Sequence, residues 1–208
     1  MALFITFEGG EGSGKSTALK SIAAYFEKNK IPFVLTREPG GTPIGEEIRN
    51  VILAKNNGAM DLRVEALLFA ASRRQHLVEK IWPSLKNGTT VLCDRYLDSS
   101  LAYQGNARGL GIENVLKVNE FATEGTFPDI TFFFDIDPEE GLRRISINES
   151  REVNRLDLEK LSFHNSVREG FIKLSKLYPS RYVVIDASKS KEEVYEACIK
   201  VIKERMGI

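Results

Sequence analysis

The 208-residue chain has few of the side chains that usually announce chemistry: two cysteines, two histidines and one tryptophan. Cys93 and Cys198 sit in apolar settings without metal-ligand spacing, so they give neither a disulfide framework nor a zinc motif and read as buried thiols. His76 and His164 have no carboxylate or metal partner in sequence and receive no chemistry. Net charge is also missing, with 29 basic residues against 29 acidic. No global field therefore draws the chain to nucleic acid or an anionic membrane, and any anion binding must be local. No apolar run approaches the roughly 20 residues that span a bilayer. The stretch from Met1 to Phe7 reads as a strand and not as a signal peptide, which points to a cytoplasmic protein. With no linker, repeat or low-complexity tract, residues 1–208 are expected to form one domain.

What the chain does carry is Gly9, Gly10, Glu11, Gly12, Ser13, Gly14, Lys15, Ser16 and Thr17, which fits G-x-x-x-x-G-K-[ST] from Gly9 through Ser16. Glycines let the backbone turn so that successive N–H groups surround one anion. The helix expected from about Ser13 adds its free N–H groups and positive dipole end. Lys15 can reach the β- and γ-phosphates of a nucleotide, and Ser16 offers a hydroxyl to Mg²⁺. The pattern is short, so context decides. A buried strand over Leu3–Phe7 leads in and a helix over Ala18–Lys28 leads out, as a phosphate loop requires.

Further strands are expected at Ile31–Thr36, Thr89–Cys93, Ile130–Asp135 and Tyr182–Asp186. Phe132, Phe133 and Phe134 form a continuous apolar run, as in a strand covered on both faces. Helical spacing marks Ile44–Ala54, Leu62–Lys86, Ser99–Tyr103, Ile112–Glu124, residues 139–147, Leu158–Leu177 and Lys191–Met206. Alternating strands and helices predict an α/β fold of the P-loop NTPase kind, a doubly wound five-stranded mainly parallel sheet flanked by helices. Residues of about 148–157, charged and poor in large apolar side chains, are expected to form a short lid.

Reaction class has to come from elsewhere, since a phosphate loop serves switches, motors and kinases alike. The Asn-Lys-x-Asp guanine reader of a GTPase and the Leu-Ser-Gly-Gly signature of a transporter ATPase are both absent. Instead, arginines recur at places expected near the ligand edge of the sheet: Arg37, Arg49, Arg73, Arg95, Arg151 and Arg155. That suits a pocket for two phosphorylated molecules.

Four stretches occur together and in order: Phe7-Glu8-Gly9 through Thr17, Arg37-Glu38-Pro39-Gly40-Gly41-Thr42, Leu68-Phe69-Ala70-Ala71-Ser72-Arg73, and Asp94-Arg95-Tyr96 with Ser99-Ser100-Leu101-Ala102-Tyr103-Gln104. Over essentially its whole length the chain resembles the bacterial thymidylate kinases. The resemblance implies transfer of the γ-phosphoryl of ATP to dTMP with Mg²⁺, giving ADP and dTDP on the route to dTTP, by a homodimer.

It also implies roles. Arg95 and Arg49 hold the acceptor phosphate from two sides; guanidinium groups suit this because they bind phosphate bidentately and do not titrate. Phe69 stacks on thymine and Arg73, one turn on, meets its carbonyl edge, with Ser100 and Gln104 beside them. Tyr103 fills the space of a ribose 2′-hydroxyl. Glu11 takes the sugar 3′-hydroxyl, and Glu38 and Pro39 line the same pocket. Glu8 and Asp94, at strand ends, are the carboxylates expected to order Mg²⁺ through water, with Ser16 as direct ligand. Some members of the family carry a catalytic arginine within the phosphate loop. Here that position is Gly12, so the charge is expected from Arg151 and Arg155 in the covering segment, with Arg143 nearer the preceding helix on the ATP side. Asp186-Ala187-Ser188-Lys189 resembles the family's adenine-side loop. Two other readings stay open on the residues alone: a related P-loop kinase with another small acceptor, and a nucleotide-binding switch without turnover.

Overall fold

Short apolar strands alternate with helices along the chain, and in the computed structural model, which describes residues 2–147 and 155–208, the strands join in one sheet. They are β1 (Phe4–Glu8), β2 (Phe33–Arg37), β3 (Thr90–Asp94), β4 (Ile130–Asp135) and β5 (Tyr182–Asp186). Their order is β2-β3-β1-β4-β5, and every neighbouring pair is parallel. Register sets Phe7 of β1 opposite Asp94 of β3 on one side and Phe132 of β4 on the other. The sheet is thus wholly parallel where the sequence promised mainly parallel. Parallel neighbours need long crossovers, and these lie on both faces.

The three phenylalanines of β4 show why its apolar run is unbroken. Phe132 and Phe134 face a layer with Ile5, Phe7 and Leu92. That layer is closed by α1 (Lys15–Lys28) and α9 (Lys191–Met206) through Leu19, Ile22, Phe26, Cys198 and Ile202. Phe133 faces the opposite layer with Phe4, Val91 and Cys93. There it stacks on Phe171 at 5.1 Å between ring centroids. This second layer is closed by α3 (Leu62–His76), α6 (Ile112–Thr123) and α8 (Leu161–Leu177). Each large apolar side chain buried this way contributes roughly 1.5–3 kcal/mol. Cys93 and Cys198 are free and buried, as expected.

The remaining helices are α2 (Pro43–Leu53), α4 (Trp82–Lys86), α5 (Leu97–Ser100) and α7 (Pro138–Ser146). Thr42 caps α2 by accepting from the Gly45 N–H at 3.2 Å, with Pro43 in the first turn. The helix expected over Leu62–Lys86 is present but loosened, because α3 passes through a π turn at Leu77–Ile81 before α4. A second π turn, Leu101–Ala107, extends α5 and carries Tyr103 and Gln104. The helix expected from Leu158 begins at Leu161, after a 3₁₀ turn over Arg155–Leu158. Residues 148–154, and with them Arg151, lie outside the described residues.

The carboxyl ends of β1, β2 and β3 lead respectively into the glycine-rich loop, the Glu38–Thr42 turn and the Arg95–Tyr96 turn. A cleft of about 790 Å³ opens on this edge.

Candidate active site

The glycine-rich loop builds the middle of the cleft. Gly14 is left-handed, at φ 81°, and starts α1 without a side-chain cap. Lys15 Nζ folds back over the loop and donates to Gly9 O at 2.9 Å, Gly10 O at 2.8 Å and Ser13 Oγ at 3.1 Å. Burial, helped by the charge of Arg95, pushes this amine down to about 8, against the pull of the Glu11, Asp94 and Glu8 carboxylates. A polyphosphate is the counter-charge such a group needs. Ser16 Oγ donates to Asp94 Oδ2 at 3.2 Å, so two hard oxygen donors stand together at the mouth of the loop.

The crest of the loop rests on α7. Gly12 has φ 66°, and a Cβ there would lie 2.0 Å from Gly141 O; a Cβ on Gly141 would lie 2.3 Å from Glu11 O. Only glycine at both positions permits this contact.

On one side of the loop lies the pocket expected for an acceptor. Arg95, itself left-handed at φ 66°, donates through Nη2 to Glu11 Oε1 at 2.6 Å. Through Nη1 it donates to Gly9 O at 3.0 Å and Ser99 Oγ at 3.3 Å. Its guanidinium lies over the Tyr103 ring at 5.1 Å, and the Tyr103 hydroxyl donates to Glu11 Oε1 at 3.2 Å. Arg49 donates to Pro39 O at 3.0 Å. Glu11, Glu38, Pro39, Arg49, Phe69, Arg95, Tyr103 and Gln104 all line the cleft. Phe69, on an Ala/Leu-rich helix where a core role is the commoner one, does face it.

Arg73 and Ser100 stand one layer behind. Of the five guanidinium N–H groups of Arg73, four are committed. Nε donates to Glu38 Oε2 at 2.8 Å, Nη1 to Ser100 Oγ at 3.1 Å and to Asn119 Oδ1, and Nη2 to Tyr96 O at 2.9 Å. Glu38 is held on its other oxygen by His76 Nδ1 at 3.0 Å, and His76 Nε2 lies 2.7 Å from Thr36 Oγ1. His76 thus has the carboxylate partner that its neighbours in sequence do not supply, and it orients Glu38. Asn119 was likewise not foreseen; neither residue lies in a motif.

The metal expectation divides. Glu8 is buried, accepts from Tyr96 N–H at 2.8 Å and from the Ser99 hydroxyl at 2.5 Å, and does not line the cleft. Burial, with the charge of Asp98, pushes it up to about 8. Asp94, not Glu8, shares the cleft with Ser16. Among the described residues no group of three or more His, Cys, Asp or Glu side chains forms a metal cage.

At the other end, Arg144 lines the cleft, bonded to Glu140 Oε1 at 2.8 Å and Ala187 O at 3.0 Å. Arg143 instead pairs with Glu140 on an exposed face. Lys189, Ser190 and Lys191 complete this end, in keeping with the adenine-side resemblance of 186–189. Arg155, expected over the transferring group, donates to Ile52 O at 3.1 Å and to Glu65, and its neighbour Leu156 lines the cleft.

A phosphate loop at the edge of a wholly parallel sheet, with one cleft running past it from a basic end to an arginine-rich pocket, defines a phosphotransferase of the P-loop class. The sequence profile of the family "Thymidylate kinase" matches residues 7–198. A thymidylate kinase of Bacillus velezensis is 57% identical over 98% of this chain and 96% of its own length. One from Clostridium novyi is 58% identical over 93% of this chain and 94% of its own. The crystal structure of thymidylate kinase from Ehrlichia chaffeensis superimposes with a TM-score of 0.76 at 36% identity, covering 97% of this chain and 98% of that one. The chain belongs to the thymidylate kinase family.

Proposed function

We propose that this chain transfers the γ-phosphoryl group of ATP to dTMP, giving ADP and dTDP for dTTP synthesis. The observation that carries it is the pairing, in one cleft, of the Lys15 phosphate loop with the Arg95–Glu11–Tyr103 cluster and Phe69. A dTMP phosphate oxygen forms the new bond to the γ-phosphorus while the bond from that phosphorus to the β-bridging oxygen breaks. The acceptor oxygen is already anionic, so the step needs no general base, and alignment with charge neutralisation does the work. Loop amides and Lys15 hold the donor phosphates; Arg95 and Arg49 hold the acceptor phosphate. Phe69 stacks on the base and Gln104 meets its edge, backed by the Arg73–Ser100 pair one layer behind, and Tyr103 with Glu11 confines the deoxyribose.

Ser16 and Asp94 fit Mg²⁺, being hard oxygen donors of the kind that ion takes, and the remaining sites would be water and phosphate. Ser16 and Asp94 would hold the ion, which would supply neutralisation of the nucleotide's phosphate charge. Residues of about 148–157 serve as the lid of this single kinase domain, with Arg151 as the candidate to reach the phosphoryl group, since Arg155 is held by Glu65.

A second copy of the chain is the proposed partner. α3 packs between α2 and α6, and these three helices expose Ile44, Val51, Val64, Leu67 and Phe121, the last 91% exposed. Sedimentation of Phe121→Glu at micromolar concentration should give a lighter species than the unmodified protein. No helix among the described residues is long and apolar enough to cross a membrane. A cytoplasmic location is the proposed one, and membrane and nucleic acid are not proposed as partners.

The test is ADP release with ATP, Mg²⁺ and a panel of dTMP, dUMP, UMP, dCMP, AMP, GMP and thymidine. Preference for dTMP is expected. Another preferred monophosphate would keep the arginine clamp and overturn the base pocket; no turnover at all would favour a silent switch.

A further inference from the structure

Glu65 lies on α3 in none of the motifs, yet its side chain is fully buried beside the acceptor pocket. It gathers three donors. Gln104 Nε2 donates to Oε1 at 2.8 Å, Arg108 Nε meets the same oxygen at 3.3 Å, and Arg155 Nη2 donates to Oε2. Arg108 also pairs with Glu159 at 2.7 Å, so the carboxylates of Glu65 and Glu159 balance the guanidinium groups of Arg108 and Arg155. Burial alone would raise the Glu65 carboxyl, but hydrogen bonds from Gln104 and Arg155 and the charges of Arg108 and Arg155 hold it below the ordinary value. It is an anion, and an ionised carboxylate only accepts hydrogen bonds.

That fact decides the orientation of the neighbouring amide. A glutamine side chain has one accepting and one donating end, and the two are nearly isosteric. With an acceptor-only partner behind it, Gln104 must turn its NH₂ toward Glu65, so its carbonyl oxygen is the end left for a ligand. Gln104 lines the cleft in the π turn next to Tyr103, and Phe69 lines the same cleft. The pocket therefore offers an acceptor to the base edge. Thymine and uracil carry an N3–H donor there; cytosine carries a bare acceptor nitrogen. A carbonyl facing a ring nitrogen of the same polarity leaves both desolvated and unpaired, which discriminates strongly.

We propose that Glu65 is a specificity-determining positioning residue: by fixing the Gln104 amide with its carbonyl toward the cleft, it makes the acceptor pocket select pyrimidines with an N3–H and reject cytosine. This rests on the reading of the cleft as a pyrimidine monophosphate site. Glu65 itself touches no substrate and acts through Gln104. A glutamine at position 65 carries both a donor and an acceptor, so it would release this constraint and let the Gln104 amide turn either way.

The experiment measures kcat/KM for dTMP and dCMP in the unmodified protein, Glu65→Gln, Gln104→Met and the double variant. The unmodified protein should prefer dTMP strongly. In Glu65→Gln the dTMP/dCMP ratio should fall by roughly ten- to a hundredfold, as expected when one hydrogen bond to a buried charge sets the orientation. The fall should come mainly through KM for dTMP, with KM for ATP unmoved. In the Gln104→Met background the same change at 65 should leave the ratio where Gln104→Met alone put it, because the two act as one unit. A merely structural Glu65 would give additive losses and an unchanged ratio, and that result overturns the inference. If the unmodified protein fails to discriminate, the pyrimidine-site reading falls and this inference with it. If it discriminates and Glu65→Gln discriminates equally, only this inference falls. Should Glu65→Gln not fold, the unmodified protein still decides. The Gln104 side-chain NH₂ signal, assigned by its absence in Gln104→Met, should exchange slowly with water, and fast exchange would show that it faces the cleft.

Discussion

Arg95 Nη2 and Glu11 Oε1 lie 2.6 Å apart, so the arginine proposed to bind the acceptor phosphate is paired with the phosphate loop's own carboxylate. The pair is partly exposed, at 19% and 12% of the side chains, and opens on the cleft. An arriving phosphate would compete for the guanidinium while Glu11 turns to a hydroxyl donor such as a sugar alcohol. The pair keeps a charge balanced in the free protein and presents one donor and one acceptor to the substrate.

Arg95→Lys keeps the charge but removes the planar fork. It should lower kcat/KM for dTMP by about a hundredfold or more, with KM for ATP little changed. A steady-state comparison in both substrates checks this, and a loss confined to ATP would place Arg95 on the wrong side of the loop.

Lys15→Met should reduce phosphoryl transfer by at least about a thousandfold while leaving the circular dichroism spectrum intact. Among the described residues Lys15 Nζ bonds only within the glycine-rich loop and belongs to neither core layer, so the sheet and helices should survive its loss. Near-normal turnover in this variant would overturn the phosphate-loop assignment.

Tyr103→Ala removes a ring that packs under Arg95 and a hydroxyl bonded to Glu11. On the proposed role of Tyr103 in confining the sugar, the space opened would admit a 2′-hydroxyl, and the deoxy/ribo ratio of kcat/KM should fall by roughly tenfold or more. An unchanged ratio would remove Tyr103 from sugar selection.

Glu8 gives a pH signature. Its carboxyl is raised from 4.5 to about 8, first by burial and then by Asp98, so the folded protein holds a proton there that the unfolded chain has released. The associated stability is complete at low pH and is lost as pH rises through about 8. Glu8→Gln has no such loss. The melting temperature of the variant minus that of the unmodified protein should increase on going from about pH 5 to about pH 9. A difference that stays flat or shrinks would contradict the buried, protonated state.

Much of the fold could be read directly from residue patterns. The Phe132-Phe133-Phe134 run announced a strand covered on both faces, and the helical spacing of Lys191–Met206 matches α9, whose ends carry a Ser190 cap and a left-handed Gly207. The π turns were not legible, since helical spacing alone does not encode an extra residue per turn. In the site, residues within motifs were found and those acting across the fold were not. His76 reaches Glu38 across 38 positions, and Glu65 reaches Gln104 across 39. Nothing local in sequence marks such a pair. Of α7 the sequence offered Arg143 alone, and the phase of the helix turns its neighbour Arg144 to the cleft instead.

The glycine contact between the loop crest and α7 also bears on how such a protein can change over generations. An arginine at position 12 would have to push its Cβ into Gly141 O, 2.0 Å away, so placing an arginine in the loop is not a one-step change. α7 would first have to retreat, and it is the same helix that brings Arg144 to the donor end of the cleft. A larger side chain at either position therefore displaces the other's backbone, and a change at the loop crest is felt at once at the donor end of the cleft.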